Sequence, residues 1–194
     1  MQDQTKGIIY ASVTAFFWGF LAIALKVAVQ EVDAITIVWF RFFIAFVILL
    51  GWQLYNKPSS LKILIQPPLL LVFAALALSW NYMGFMLGID YTTPSNAQLF
   101  IQFGPLTLAL AGFFIFKEKL SLWQKLGFFI ALSGFAFFYR DQLLAFFEGK
   151  DQYNIGVLFT LSGALAWATY ATLQKKLVVV YQAQMLNLFL FGLP

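Results

Sequence analysis

Long apolar runs separated by short polar stretches make up most of this chain of 194 residues. A helix needs about 20 apolar residues to cross roughly 30 Å of hydrocarbon. Seven runs are candidates, and they cover residues 7–25, 35–54, 67–89, 95–116, 123–139, 155–173 and 183–194. The pattern therefore predicts an all-α polytopic membrane protein whose seventh helix is present only in part.

The composition is typical of a protein in a bilayer. Charged residues make up 10% of the chain and hydrophobic residues 62%, whereas soluble domains average about 25% charged residues. The chain contains no His and no Cys, which excludes a Ser-His-Asp triad, a His-ligated metal, a disulfide and a thiol nucleophile. We expect no cofactor and no metal, and we do not expect an enzyme.

The basic residues lie between the apolar runs rather than in one patch, so nucleic-acid binding is not expected. The side with more Lys and Arg is normally cytoplasmic. A cytoplasmic N-terminus places inside Lys6, Lys57, Lys62, Lys117, Lys119, Lys125, Lys175 and Lys176, and outside only Lys26, Arg140 and Lys150. The first run has spanning length and no cleavage site after it, so we expect it to remain as a helix.

Two of the apolar runs share a pattern that predicts an internal repeat. A shift of 149 residues places Trp18 on Trp167 and Lys26 on Lys175. Five predicted helices separate the two starts, and an odd number inverts the second copy, as in many transporters. We expect a complete first repeat at 5–140 and about two helices of a second repeat at 154–194. A full second copy would end near residue ~290, so the chain is expected to be about two-thirds of a ten-helix protein.

A segment at residues 92–135 resembles the signature of the EamA-type transporters in the drug/metabolite transporter superfamily. The features that carry the resemblance are Pro105, Glu118, Gly127 and Gly134. The Trp-Gly pair within residues 15–26 and Arg41 in the second run resemble the same family. The second copy departs from the pattern, because Leu190 stands at the position that matches Arg41.

This resemblance implies a multi-pass carrier of small metabolites in the bacterial cytoplasmic (inner) membrane. Members of the family often export amino acids or related compounds. The chain is expected to have its N-terminus in the cytoplasm, and its expected partners are a small-molecule substrate and the lipid bilayer. A homodimer or a missing C-terminal half is expected to complete the substrate cavity of the carrier.

Polar and aromatic side chains near the middle of the runs are the candidate substrate-binding residues. Amides in hydrocarbon need partners, and Trp and Tyr normally lie at the membrane interface. The residues expected to line a midplane cavity are Thr14, Trp18, Asn81, Tyr82, Gln98, Gln102, Trp167 and Tyr170. The alternative for the amides is hydrogen bonding between helices, and for the tryptophans it is packing. Pro105 removes a backbone donor close to Gln102 and is expected to shape the same cavity.

Arg41 is the only charge well inside an apolar run. A charge at that depth is costly unless it is paired or reaches the interface. The sequence leaves two interpretations open. Either Arg41 is structural, anchoring its helix or pairing with Asp33 or Asp90, or it binds a substrate carboxylate.

Two further features are expected to be structural or to act in gating. Glu118 lies among lysines at the cytoplasmic end of the fourth run and predicts a salt bridge or a gate. Gly127 and Gly134, with Ala131 between them, place small residues on one side of the fifth run. Small residues at this spacing allow helices to approach closely, and we expect packing inside the protein.

These features together predict a secondary transporter that exports small neutral or zwitterionic metabolites, such as amino acids, by alternating access. Its site would lie at the midplane between the two repeats. The first run lacks the Glu that small multidrug exporters of the superfamily carry, so export of lipophilic cations is disfavoured. The alternative is a membrane scaffold that transports nothing, or a half-transporter subunit that needs a partner.

Overall fold

The structure, a computed structural model, describes residues 2–56, 61–117, 119–147 and 151–193, and the described part is almost entirely helical. Its helices are α1 (Gln2–Ala28), α2 (Ala34–Asn56), α3 (Lys62–Ile65), α4 (Leu69–Tyr91), α5 (Pro94–Phe100), α6 (Phe103–Ile115), α7 (Leu122–Phe147), α8 (Asp151–Leu177) and α9 (Ala183–Gly192). The predicted all-α fold is confirmed.

Five of the described helical stretches are long and apolar enough to cross a membrane. They are Thr5–Ala28, Ala34–Asn56, Leu69–Tyr91, Pro94–Ile115 and Asp151–Leu177. The apolar parts of α7 and α9, Leu122–Phe138 and Ala183–Gly192, are shorter. The chain is therefore a multi-pass membrane protein.

The fourth apolar run is broken between α5 and α6. In the connecting turn the backbone N–H of Gln102 donates to the carbonyl of Leu99 at 3.1 Å. The next bond runs from the N–H of Gly104 to the carbonyl of Ile101 at 2.9 Å. Both bonds join residues three apart, which is the spacing of a tight 3₁₀ turn. Pro105 has no N–H to give the Ile101 carbonyl, so the helix tightens at this point.

The tightest helix contact lies between α4 and α8, where glycines face each other. A Cβ built on Gly84 would lie 2.6 Å from the carbonyl oxygen of Phe159 and 3.2 Å from the Cα of Gly163. Such short distances leave room for hydrogen only. The absence of side chains at this crossing therefore allows the two backbones to meet, as small residues do in many membrane bundles.

The small residues of α7 do not make the close contact that the sequence predicts. A Cβ on Gly127 or Gly134 would meet no atom within 4 Å, and both glycines are exposed. The ring of Phe135 instead packs 4.6 Å from the ring of Phe103. The described residues therefore do not show the close packing expected at Gly127 and Gly134, and small residues permit a close approach without specifying a partner.

One lysine ties α1 to the end of α4. The Nζ atom of Lys26 donates to the carbonyl oxygens of Ile89 at 2.7 Å, Asp90 at 2.9 Å and Thr92 at 3.1 Å. Carbonyls at a helix C-terminus lack partners in the helix and carry partial negative charge, so a cation is favourable there. In contrast, residues 5–20 of α1 are exposed along their whole length. Lys26 therefore fixes α1 mainly at one end.

Replacing Lys26 with methionine should lower the free energy of unfolding by about 1–3 kcal/mol, because three carbonyls lose a charged donor. Denaturant titration of the protein in detergent micelles measures this change. Lys6→Met is the matched control, since Lys6 is an exposed lysine of the same helix. Equal stability of the Lys26 variant and the control would contradict the anchoring role of Lys26.

Candidate functional site

A cavity of about 240 Å³ lies where α1, α2, α4, the α5–α6 break, α8 and α9 meet. Most of the residues that the sequence singles out line it together, namely Trp18, Arg41, Asn81, Tyr82, Gln98, Gln102, Pro105, Trp167 and Tyr170. Polar and aromatic side chains from distant parts of the chain thus meet at one place inside the bundle.

The other residues singled out lie elsewhere. Thr14 is not among the residues that line the cavity, and its hydroxyl donates to the carbonyl of Tyr10 at 2.8 Å in the exposed part of α1. A hydroxyl satisfied by its own helix needs no cavity, and the expectation for Thr14 is not met. Gly127 and Gly134 lie on α7 and are not part of the cavity wall. Glu118 lies outside the described residues.

Two of the cavity amides also join helices. Asn81 is 8% exposed, and its Nδ2 atom donates to the carbonyl of Gly163 at 2.9 Å. The Nε2 atom of Gln98 donates to the carbonyl of Trp18 at 2.9 Å. Cavity lining and hydrogen bonding between helices, which the sequence posed as alternatives, therefore occur together at both residues.

The two repeat-related tryptophans lie at the same cavity in different settings. The indole of Trp167 rests against the start of α6, since a Cβ built on Gly104 would lie 3.0 Å from its Cε3 atom. Trp18 remains 50% exposed, and its backbone carbonyl holds Gln98. Trp167 is thus fixed by packing, whereas the ring of Trp18 has room to contact a bound molecule.

Arg41 lies on the cavity wall beside an aromatic ring. Its Cζ atom is 4.7 Å from the ring centroid of Tyr82, a distance typical of a cation–π contact. Asp33, one of the acids expected to pair with it, accepts instead from the hydroxyl and the backbone N–H of Thr36, the latter at 2.9 Å. These hydrogen bonds, led by the one from the hydroxyl, hold the pKa of Asp33 below its usual value.

The expected ion pair of Arg41 is therefore not formed. Among the described residues, no carboxylate of Asp33 or Asp90 lies within the 4.0 Å that an ion pair requires. The anchoring interpretation does not require an ion pair and stays a prediction, and the guanidinium contacts the ring of Tyr82.

The apolar part of the cavity wall was missed by the sequence reasoning. Leu21, Leu78, Phe85, Ile101 and Phe191 complete the lining. Such residues occur throughout every membrane helix, so their type carries no signal of a cavity. Only the positions of neighbouring polar residues on the same helix faces could have suggested them.

A second cavity, of about 220 Å³, is lined largely by amides. Trp52, Gln53, Asn56, Gln182 and Gln184 form it at the end of α2 and the start of α9. The predicted orientation places this end of the bundle in the cytoplasm. Nothing in the sequence pattern joins these residues, because polar residues next to an apolar run are common at helix ends.

Comparison with known proteins gives a consistent picture. Residues 5–140 match the EamA-like transporter family. The chain is 37% identical over 192 residues to an "Uncharacterized transporter" of Haemophilus influenzae, covering 98% of the chain and 62% of that protein. It is 33% identical over 181 residues to the "Uncharacterized inner membrane transporter YhbE" of Escherichia coli K12, covering 91% of the chain and 56% of that protein.

A more distant relative is an "Uncharacterized transporter" of Archaeoglobus fulgidus, 26% identical over 194 residues, with 98% of the chain and 64% of that protein covered. The chain thus spans between 56% and 64% of the length of these three relatives. No solved structure matches the chain closely enough to add a comparison of folds.

Proposed function

Because the chain belongs to the EamA-like transporter family, we propose that the protein is a secondary transporter that exports small neutral or zwitterionic metabolites such as amino acids. The proposed location is the bacterial inner membrane, with the N-terminus in the cytoplasm. The Escherichia coli relative is named an inner membrane transporter, which supports the location.

The observation that carries the proposal is the chemistry of the main cavity. Apart from Arg41, its wall is made of uncharged amides, tyrosines and indoles together with apolar side chains. Binding sites for small molecules typically combine such apolar walls with a few placed polar groups. Amides can hold the charged ends of an amino acid, and the aromatic rings can pack against its side chain.

The position of the cavity fits alternating access between two repeats. Trp18 and Gln102 lie in the predicted first repeat, whereas Trp167 and Tyr170 lie in the predicted second. In transporters with inverted repeats the substrate lies near the midplane at the repeat interface, often beside a broken helix. The α5–α6 break, with Gln102 in its turn, supplies a feature of that kind.

Counterflow in liposomes tests the proposal. Vesicles that contain the complete gene product are loaded with one unlabelled amino acid, and uptake of the same labelled amino acid is followed for each of the neutral amino acids. We expect at least one to accumulate transiently above the level in protein-free vesicles. No counterflow for any of them would overturn the proposal.

A second measurement distinguishes a transporter from the alternative, a scaffold or a half-transporter subunit. Copurification of one stoichiometric protein partner, together with no stabilisation by any tested amino acid, would support a subunit or scaffold instead. A ligand that binds only the folded state must raise its stability, so a carrier with its substrate is expected to show this response.

A further inference from the structure

We propose that Arg41 binds the carboxylate of the transported substrate, so that the substrate is a small carboxylic acid with an apolar remainder. This inference rests on the proposed function, because it assigns one chemical group of the substrate to one side chain of the same cavity. It makes Arg41 the residue that determines specificity for acids over their uncharged analogues.

The depth of Arg41 is the first argument. It lies about 10 Å along α2 from Ala34, at 1.5 Å per residue, and is half-buried. Charged side chains at such depth in membrane proteins face the interior or a water-filled cavity and are rare without a function. Arg41 follows that rule, because its side chain lines the main cavity.

The lack of a protein counter-charge is the second argument. The contact recorded for the guanidinium is the ring of Tyr82, which attracts a cation but does not neutralise it. No Asp or Glu of the described residues lines the cavity. A charge at this depth is costly when it has no opposite charge beside it, and an anion from the substrate would complete this half-buried site.

The remaining polar groups suit the other end of an amino acid. The Nε2 atom of Gln98 donates to the carbonyl of Trp18. The side-chain carbonyl oxygen of Gln98 is left as an acceptor. An amide oxygen accepts from an ammonium group, and a guanidinium can hold a carboxylate by two parallel hydrogen bonds. Arg41 and Gln98, which line the same cavity, therefore offer groups that suit the two charged ends of an amino acid.

Binding of matched pairs tests the inference. The probes are L-alanine, L-leucine and L-phenylalanine, each compared with its own carboxamide, which keeps the ammonium group and the side chain but removes the negative charge. Thermal-shift titration of the complete gene product in detergent gives the half-saturating concentration of each probe. We expect at least one acid to bind about 10- to 100-fold more tightly than its amide, the range for a charge-assisted hydrogen bond.

Three variants assign the effect to one residue. Arg41→Gln should weaken binding of the acid by about 10- to 100-fold and leave binding of the amide unchanged. Arg41→Lys keeps the charge but loses the planar fork, so an intermediate loss is expected. Arg140→Gln is the matched control at an exposed arginine near the end of α7, and it should bind every probe as the wild type does.

The outcomes separate this inference from the proposed function. Equal binding of acid and amide by the wild type, a comparison that needs no variant to fold, would overturn the role of Arg41. Equal weakening of both probes in Arg41→Gln would overturn it as well. If the protein prefers the acid but shows no counterflow, the transport proposal is overturned and the carboxylate site is upheld. If it shows counterflow without that preference, the carboxylate site is overturned and the transport proposal is upheld.

Discussion

Replacement of Gly84 by alanine should lower the free energy of unfolding by about 1–3 kcal/mol, the usual range for an overpacked core. The added Cβ would lie 2.6 Å from the carbonyl oxygen of Phe159 and 3.2 Å from the Cα of Gly163. Both are backbone atoms, so no side chain can rotate away. The helices α4 and α8 would have to separate to relieve the contact.

Separation would also strain polar contacts at the same crossing. The amide of Asn81 donates to the carbonyl of Gly163 at 2.9 Å, and the indole N–H of Trp80 donates to the hydroxyl of Ser162 at 3.1 Å. Asn81 is buried, and a buried group that loses its partner is destabilising by about 1–3 kcal/mol. We therefore expect the loss for Gly84→Ala to lie toward the upper end of the range.

Gly127→Ala is the matched control for this experiment. A Cβ at Gly127 meets no atom within 4 Å, and alanine favours a helix over glycine by up to about 1 kcal/mol. Denaturant titration in detergent micelles should thus show a loss for Gly84→Ala and no loss for Gly127→Ala. If the two variants were equally stable, the close α4–α8 crossing would be contradicted.

Trp18→Ala should weaken counterflow about 10- to 100-fold while leaving the fold intact. The indole lines the cavity and is 50% exposed, so it packs little against the protein itself. Its link to Gln98 uses the backbone carbonyl, which alanine retains. Loss of about 100 Å² of aromatic contact with a substrate corresponds to roughly 2.5 kcal/mol at 25 cal/mol per Å².

The half-saturating concentration for counterflow and the denaturant midpoint should be measured on the same preparations. Trp123→Ala is the control, since Trp123 is 82% exposed on α7 and does not line the cavity. We expect it to match the wild type in both measurements. Counterflow by Trp18→Ala at the affinity of the wild type would remove Trp18 from the path of the substrate.

Much of the cavity was predictable because polar groups have few places to lie inside a membrane. Gln102 and Asn81 stand in the middle of apolar runs, where an amide must find a partner or a wet cavity. Trp18 and Trp167 line one cavity. Both were singled out because a shift of 149 residues places one on the other. The break at Pro105 followed from its missing N–H.

The positions where the structure differs from the expectation share one physical cause, which is that a local sequence pattern does not specify the partner of a residue. Thr14 lies on the same helix face as Trp18, one turn earlier. Its hydroxyl donates to the carbonyl of Tyr10 within the exposed part of α1. Gly127 and Gly134 have the spacing of a packing motif but face no other helix among the described residues. Gly84 and Gly163, in which the sequence showed nothing unusual, form the tight crossing instead.

The sequence by itself determined that this protein crosses a membrane and which helices carry polar groups in the middle of their apolar runs. Both follow from local properties, the length of an apolar run and the cost of burying a polar group in it. The tertiary structure alone decided which of those groups meet, which glycines touch, and that Arg41 faces Tyr82 rather than Asp33. Helix crossings depend on contacts between residues far apart in the chain, and in a membrane these are selected by close packing rather than by hydrophobicity.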